Sequence, residues 1–143
     1  MELRLPSPVS KFEIETAILQ WIELLAVEDY TGAFDLTLHD PYYQWTPELL
    51  KKVIEGYGLP DEIENVYKVT KAEDSVIANG QHIYKDVEFV DRPSGLRKGD
   101  LFLVGEAFFD LPLNGNWSDL TATFKIFSNE NYSALELNEI RVL

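Results

Sequence analysis

The chain has 143 residues, 45% hydrophobic and 13% aromatic, which suffices for one domain with a full core and is too apolar for a disordered chain. Asp and Glu number 25 against 12 Lys and Arg; the net charge of −13 repels nucleic-acid phosphates and anionic lipids and attracts a basic partner. Cysteine is absent, no apolar run approaches the roughly 18–20 residues of a membrane span, and the N-terminus lacks a secretory pattern, so disulfides and membrane insertion are excluded and a cytoplasmic protein is expected.

A single domain over 1–143 is expected, with 1–9 as a lead-in arm, because Pro6 and Pro8 block regular structure there. Ser10 and Glu13 have the spacing of a capping box and start a first helix. Ile14, Ala17, Ile18, Trp21, Ile22, Leu24 and Leu25 follow at helical steps, with Trp21 read as a core residue. Asp29 caps a short second helix, about 30–36, which ends before Pro41. Tyr42, Tyr43 and Trp45 form an aromatic cluster in a short strand or loop. Thr46-Pro47-Glu48 then starts a third helix with the stripe Leu49, Leu50, Val53, Ile54 and Tyr57, ended by Gly58 and Pro60.

From residue 64 the period changes. Val66, Tyr67 and Val69 suggest a strand, residues 71–74 a charged turn, and Asn79-Gly80 a hairpin. Residues 82–90 alternate imperfectly, with Ile83, Val87 and Phe89 on one face; 92–95 read as a turn and 96–99 as an exposed loop. A long strand is expected over 100–113, with Leu101, Leu103, Ala107 and Phe109 on one face and Phe102, Val104, Glu106 and Phe108 on the other. Gly105 marks a bend or bulge, and Asn114-Gly115-Asn116 a turn. Leu120, Ala122, Phe124 and Ile126 make the cleanest alternation. In the last strand Leu135 and Leu137 give way to Ile140 and Val142, a change of parity that implies a bulge near Asn138. The fold class expected is α+β, with N-terminal helices packed on a curved, mainly antiparallel sheet.

Helices followed by such a sheet, together with the stretch Trp21-Ile22-Glu23-Leu24-Leu25-Ala26-Val27-Glu28-Asp29-Tyr30-Thr31-Gly32-Ala33, in which an aspartate and an aromatic precede a second helix with small residues, resemble the cone-shaped superfamily of nuclear transport factor 2 and ketosteroid isomerase. The run Asp110-Leu111-Pro112-Leu113-Asn114-Gly115-Asn116-Trp117-Ser118-Asp119-Leu120-Thr121-Ala122-Thr123-Phe124 is also similar to a group of uncharacterised bacterial proteins, a likeness that carries no activity. The superfamily resemblance implies a site in the cone, between the helices and the concave face of the sheet. Its members include isomerases, dehydratases, binding proteins and homodimers, so the fold does not choose the function.

Isomerase-type chemistry needs a carboxylate base and donors for an oxyanion. Glu106, mid-strand between apolar neighbours, and Asp40 are the candidate bases; Asp35 and Asp119 are further acids, and Tyr30, Tyr42, Tyr43, Tyr84 and Trp45 supply donors or walls. Against this, Glu106 facing solvent or paired with Lys125 or Arg141 is the plainer reading. His39 and His82 lack metal-ligand spacing, so no metal is assigned, and without a Gly-x-Ser-x-Gly turn or phosphate loop neither a serine nucleophile nor a cofactor is. Tyr42, Tyr43, Trp45 and Trp117 are candidate binding residues, since aromatics anchor interfaces. The leading expectation is a non-catalytic binding protein for a basic protein partner, one version being an immunity-type protein. The alternative is a pocket protein for a small apolar ligand, or an isomerase or dehydratase; homodimerisation through the sheet is a third expectation.

Overall fold

The computed structural model describes residues 2–57, 67–92 and 95–142. Its elements are α1 (Lys11–Ala26), α2 (Tyr30–Leu36), β1 (Leu38–His39), α3 (Pro47–Glu55), a 3₁₀ turn (Ala72–Asp74), β2 (Lys85–Phe89), β3 (Arg97–Lys98), β4 (Leu101–Leu113), β5 (Asn116–Ser128) and β6 (Ser133–Val142). The strands form one open mixed sheet in the order β1-β6-β5-β4-β2, with β3 also on β4. Among the described strands only β1 runs parallel, beside β6. The class is α+β, as the pattern predicts.

The helix starts are set locally. The Ser10 hydroxyl accepts from the Glu13 amide and the Glu13 carboxylate from the Ser10 amide, the two halves of the capping box. The Asp29 carboxylate accepts from Gly32 N and the Thr46 hydroxyl from Leu49 N. The third helix stops earlier than expected, at Glu55 with Gly56 at its C-cap; Gly58 and Pro60 lie outside the described residues. The arm is docked: Leu5 exchanges two backbone hydrogen bonds with Ser133, and Leu3 N donates to Leu36 O.

The helices cover one face of the sheet. Ile14, Ile18, Trp21, Ile22 and Leu25 of α1 are fully buried, and Trp21 meets Phe124 of β5 edge-on at 5.2 Å. Ala107 and Phe109 pair with Phe124 and Ala122, which pair in turn with Leu137 and Ile140, so these residues share the helix-covered face. The space in which the resemblance places a site is therefore occupied by packed core. Alternation then puts Glu106, Phe108, Thr123 and Lys125 on the opposite face.

Two bulges shape that face. The register shift between Leu103 and Gly105 inserts Val104, so Leu101 and Leu103 lie opposite Ala107 and Phe109 rather than beside them, correcting the single-face reading of this strand. Gly105 is required there: a Cβ would stand 2.5 Å from Glu88 O. In β6, Phe124 pairs with Leu137 while Thr123 pairs with Glu139, leaving Asn138 as the extra residue where the parity change places it.

Other expectations are revised. Val69 makes only an isolated bridge to Leu113, and Val66 lies outside the described residues. Asn79-Gly80 is a turn closed by Gln81 N on Ala78 O, but its flanks do not pair as a hairpin, since Val76 bridges to Asn116. The 82–90 strand shortens to β2. Arg97 and Lys98, expected in a loop, pair with Phe102 and Leu101, while Pro93 and Ser94 of the expected turn lie outside the described residues. Leu113 and Asn116 are joined by Asn114 (φ 51°) and Gly115 (φ 83°), the mirror-image turn a two-residue hairpin favours.

Candidate functional site on the uncovered sheet face

The face away from the helices carries charge in rows that run across the strands. Glu88, Glu106, Lys125 and Glu136 are successive cross-strand partners, as are Asp86, Phe108, Thr123 and Glu139. A hollow of about 230 Å³ opens here, floored by Glu106 and Phe108 of β4, Thr123 and Lys125 of β5, and Asn138, Glu139 and Arg141 of β6, with Asp40 and Tyr43 as its wall. Both candidate bases and one candidate binding residue thus meet in one place, on the face opposite the one expected.

The wall is held by a polar network that sequence reasoning missed. Asp40 N donates to Leu137 O, and the Asp40 carboxylate accepts from Tyr42 N at 2.9 Å, which folds the loop after β1 back over β6. Trp45 is buried and its indole N–H donates to Asn138 O at 2.7 Å. With its amide oriented to satisfy both atoms, Asn138 donates to Glu136 and Asp40 and accepts from Lys125 N. Glu136, 4% exposed, also takes Lys98 Nζ at 2.7 Å, and Lys98 donates to His39 O. A signal for this network existed, since a polar residue at a bulge between buried strands needs partners.

On the rim, the Tyr43 hydroxyl donates to Glu139 at 3.0 Å, a bond that pushes its pKa up, and Arg141 Nε pairs with the same carboxylate at 2.9 Å. Glu106 is exposed and, among the described residues, makes no ion pair or side-chain hydrogen bond, although Lys125 lies directly across from it. The pKa of its other neighbour, Glu88, is raised from its ordinary value, first by its hydrogen bond to Asp86, then by the Asp86 charge and burial, and further by Glu106. Lys11 of α1 pulls the Glu88 pKa the other way but forms no salt bridge, so an excess of negative charge is concentrated where β2 meets β4.

The remaining expected residues lie elsewhere. Tyr42 is 82% exposed and meets Tyr43 edge-on. Trp117 is buried at the β4–β5 turn beneath Lys85, whose Nζ stands 4.5 Å from the ring centre. Tyr84 stacks in parallel on Phe108 at 5.6 Å. Tyr30 is buried among the helices, its hydroxyl unpartnered among the described residues and its pKa raised chiefly by burial. Asp119 accepts from the Tyr57 hydroxyl, and burial with that bond pushes Tyr57 up to about 12. His39 stacks on Phe34 and hydrogen-bonds to its carbonyl, while burial pushes its pKa down. Asp35 and His82 are exposed. Among the described residues no group of acids and histidines converges as a metal site, and no helix is long and apolar enough to cross a membrane.

A larger depression of about 540 Å³ lies at the β5–β6 turn over Phe102 and Val104. Its polar groups serve the turn itself: Asn129 donates to Asp100 and accepts from Asn131 N and Tyr132 N. Compared with family models, curated proteins and solved structures, the chain matches none of them.

Proposed function

We propose that this protein is a non-catalytic binding protein whose uncovered sheet face receives a basic protein partner. The observation that carries this reading is the row of acids Asp86, Glu88 and Glu106 on the sheet face opposite the one the helices pack on, exposed or half-exposed and, among the described residues, without a salt bridge, Lys11 acting on Glu88 only from a greater distance. Holding like charges together opposes folding, and a cationic partner relieves that repulsion while being steered toward it. An immunity-type protein that neutralises a basic toxin is one form of this function. Self-association through the same face is disfavoured, because it brings these acids toward their own copies.

The test is a titration of the full chain with an arginine-rich peptide at low and high salt. Glu88→Gln with Glu106→Gln is compared against Glu15→Gln with Glu23→Gln, exposed acids of α1 that change net charge equally. The sheet-face pair should weaken binding roughly tenfold, about 1.4 kcal/mol, and the helix pair much less. Salt-insensitive binding, or equal loss from both pairs, would remove the reading.

A second reading rests on Asp40, Glu106 and the Tyr43 hydroxyl sharing one hollow: a carboxylate base with a phenolic donor for a small ligand. The volume lies below the roughly 300–1,000 Å³ of ordinary ligand pockets, and Tyr43 is already committed to Glu139, so this reading stands second. If Glu106→Gln left ligand affinity and turnover unchanged in a ligand-positive assay, it would fail.

A further inference from the structure

Building on the reading that the uncovered face receives a basic partner, we infer that the hollow between the Asp40–Tyr43 wall and β4 is the socket for a single arginine side chain of that partner. Size comes first. At about 230 Å³ the hollow is side-chain-sized rather than ligand-sized. Its carboxylates are not equivalent. Asp40 is committed to Tyr42 N and Asn138, and Glu139 to Tyr43 and Arg141. Glu106 alone is left over at the floor, and it continues into Asp86 and Glu88, so charge complementarity selects a cation.

Shape then selects arginine over lysine. The Phe108 ring, backed by the parallel Tyr84 ring, and the Tyr43 side chain give the hollow aromatic surfaces. A planar guanidinium stacks on such a ring while its edge N–H groups reach a carboxylate, whereas an ammonium is a compact, strongly hydrated charge. Arg141 does not fill this role itself, since its Nε is held by Glu139. The partner's arginine would stack on Phe108 and pair with Glu106, competing with Lys125, which makes no ion pair among the described residues, and with the part of the Arg141 guanidinium that Glu139 does not hold.

The experiment is an amide-resolved NMR titration of the full chain with ethylguanidinium, and separately with butylammonium, at constant ionic strength. Ethylguanidinium should shift the amides of Glu106, Phe108, Thr123 and Lys125 most, at concentrations roughly two- to fivefold below those butylammonium needs. Glu106→Gln, at an exposed position, and Phe108→Leu should each weaken the response, with the spectrum reporting that the fold is retained. Shifts no larger at the hollow than around Glu15 and Glu23, equal responses to the two cations, or indifference to Glu106→Gln would overturn the socket. If the arginine-rich peptide still depends on Glu88 and Glu106 while ethylguanidinium leaves the hollow unmoved, the socket falls and the face stands. If peptide binding does not depend on those acids, the face falls with it.

Discussion

Lys98 is the residue whose removal should tell most about how the site is held. Its ammonium lies 2.7 Å from Glu136 Oε2 and 2.7 Å from His39 O, so one side chain ties β3 to β6 and to the end of β1. At an effective dielectric near 20, opposite charges at that separation attract by roughly 6 kcal/mol before desolvation is counted. Desolvation offsets most of this in the intact pair, but removing only the cation leaves a carboxylate that is 4% exposed without its counter-charge, which typically costs about 3–5 kcal/mol. The Lys98 side chain is 30% exposed, so water can enter where the ammonium leaves, and Asn138 still donates to Glu136. The expected cost of Lys98→Met is therefore at the lower end, about 2–3 kcal/mol, or a fall in melting temperature of roughly 6–10 °C for a chain of this length.

The control is the double variant Lys98→Met with Glu136→Met. Leu96 and Phe127 line the same depression, so a methionine pair finds apolar neighbours there and no buried charge remains. Urea denaturation should place the double variant within about 1 kcal/mol of the native protein, clearly above the single one. A cost below roughly 0.5 kcal/mol for Lys98→Met, or a double variant no more stable than the single, would refute the claim that a buried ion pair holds this corner.

Trp45→Phe keeps an aromatic ring but leaves Asn138 O without its indole donor, and should cost about 1–3 kcal/mol in urea denaturation while broadening the amide signals of the 40–43 loop. Gly105→Ala puts a methyl group against the Glu88 carbonyl, which cannot move without breaking the β2–β4 ladder; a loss of roughly 2 kcal/mol or more is expected, read by thermal melting. Glu88→Gln should stabilise the protein at neutral pH. A carboxylate whose folded pKa is raised binds its proton more tightly in the native state, so it contributes stability below its unfolded pKa that is lost as pH rises through the folded one. Melting temperatures at several pH values should show the variant's advantage at neutral pH disappearing below the carboxylate range and shrinking in high salt.

What was legible in the chain follows the range of the interactions concerned. Ser10, Asp29 and Thr46 act within one helical turn, so three helix starts can be read from a few residues each. The Asn138 bulge was visible because a single extra residue reverses the parity of the apolar positions on either side of it. Gly105 signalled a bulge too, yet assigning Leu101 and Leu103 to a face required knowing that Val104 is the inserted residue, which β5 decides. Strands β1 and β3 have two residues each, too few to show a period, and exist only because β6 and β4 lie beside them. The site was half legible for the same reason. Asp40 and Glu106 were singled out from their local settings, but which face of β4 the helices cover is fixed by the contact of Trp21 with Phe124, and the Lys98–Glu136–Asn138 network joins residues far apart in sequence.

The distribution of side chains across the uncovered face is itself an argument about function. Toward the β3 end, alternation sets Leu101, Leu103 and Phe127 on this face, and Leu101 and Phe127 are buried beside β3. Toward the other end the same face changes to Glu88, Glu106 and Lys125, exposed or half-exposed. A sheet face that needed only to be soluble would intersperse charges of both signs. Here the nearby cations are Lys125, Arg141 and Lys11; Arg141 is spent on Glu139, Lys11 acts on Glu88 without a salt bridge, and among the described residues the acids on β2 and β4 make no ion pair. Such crowding costs stability in the isolated protein and is relieved by a cation arriving from outside, which is why the β2–β4 end of the sheet, rather than the packed interior beneath the helices, is where binding is to be sought.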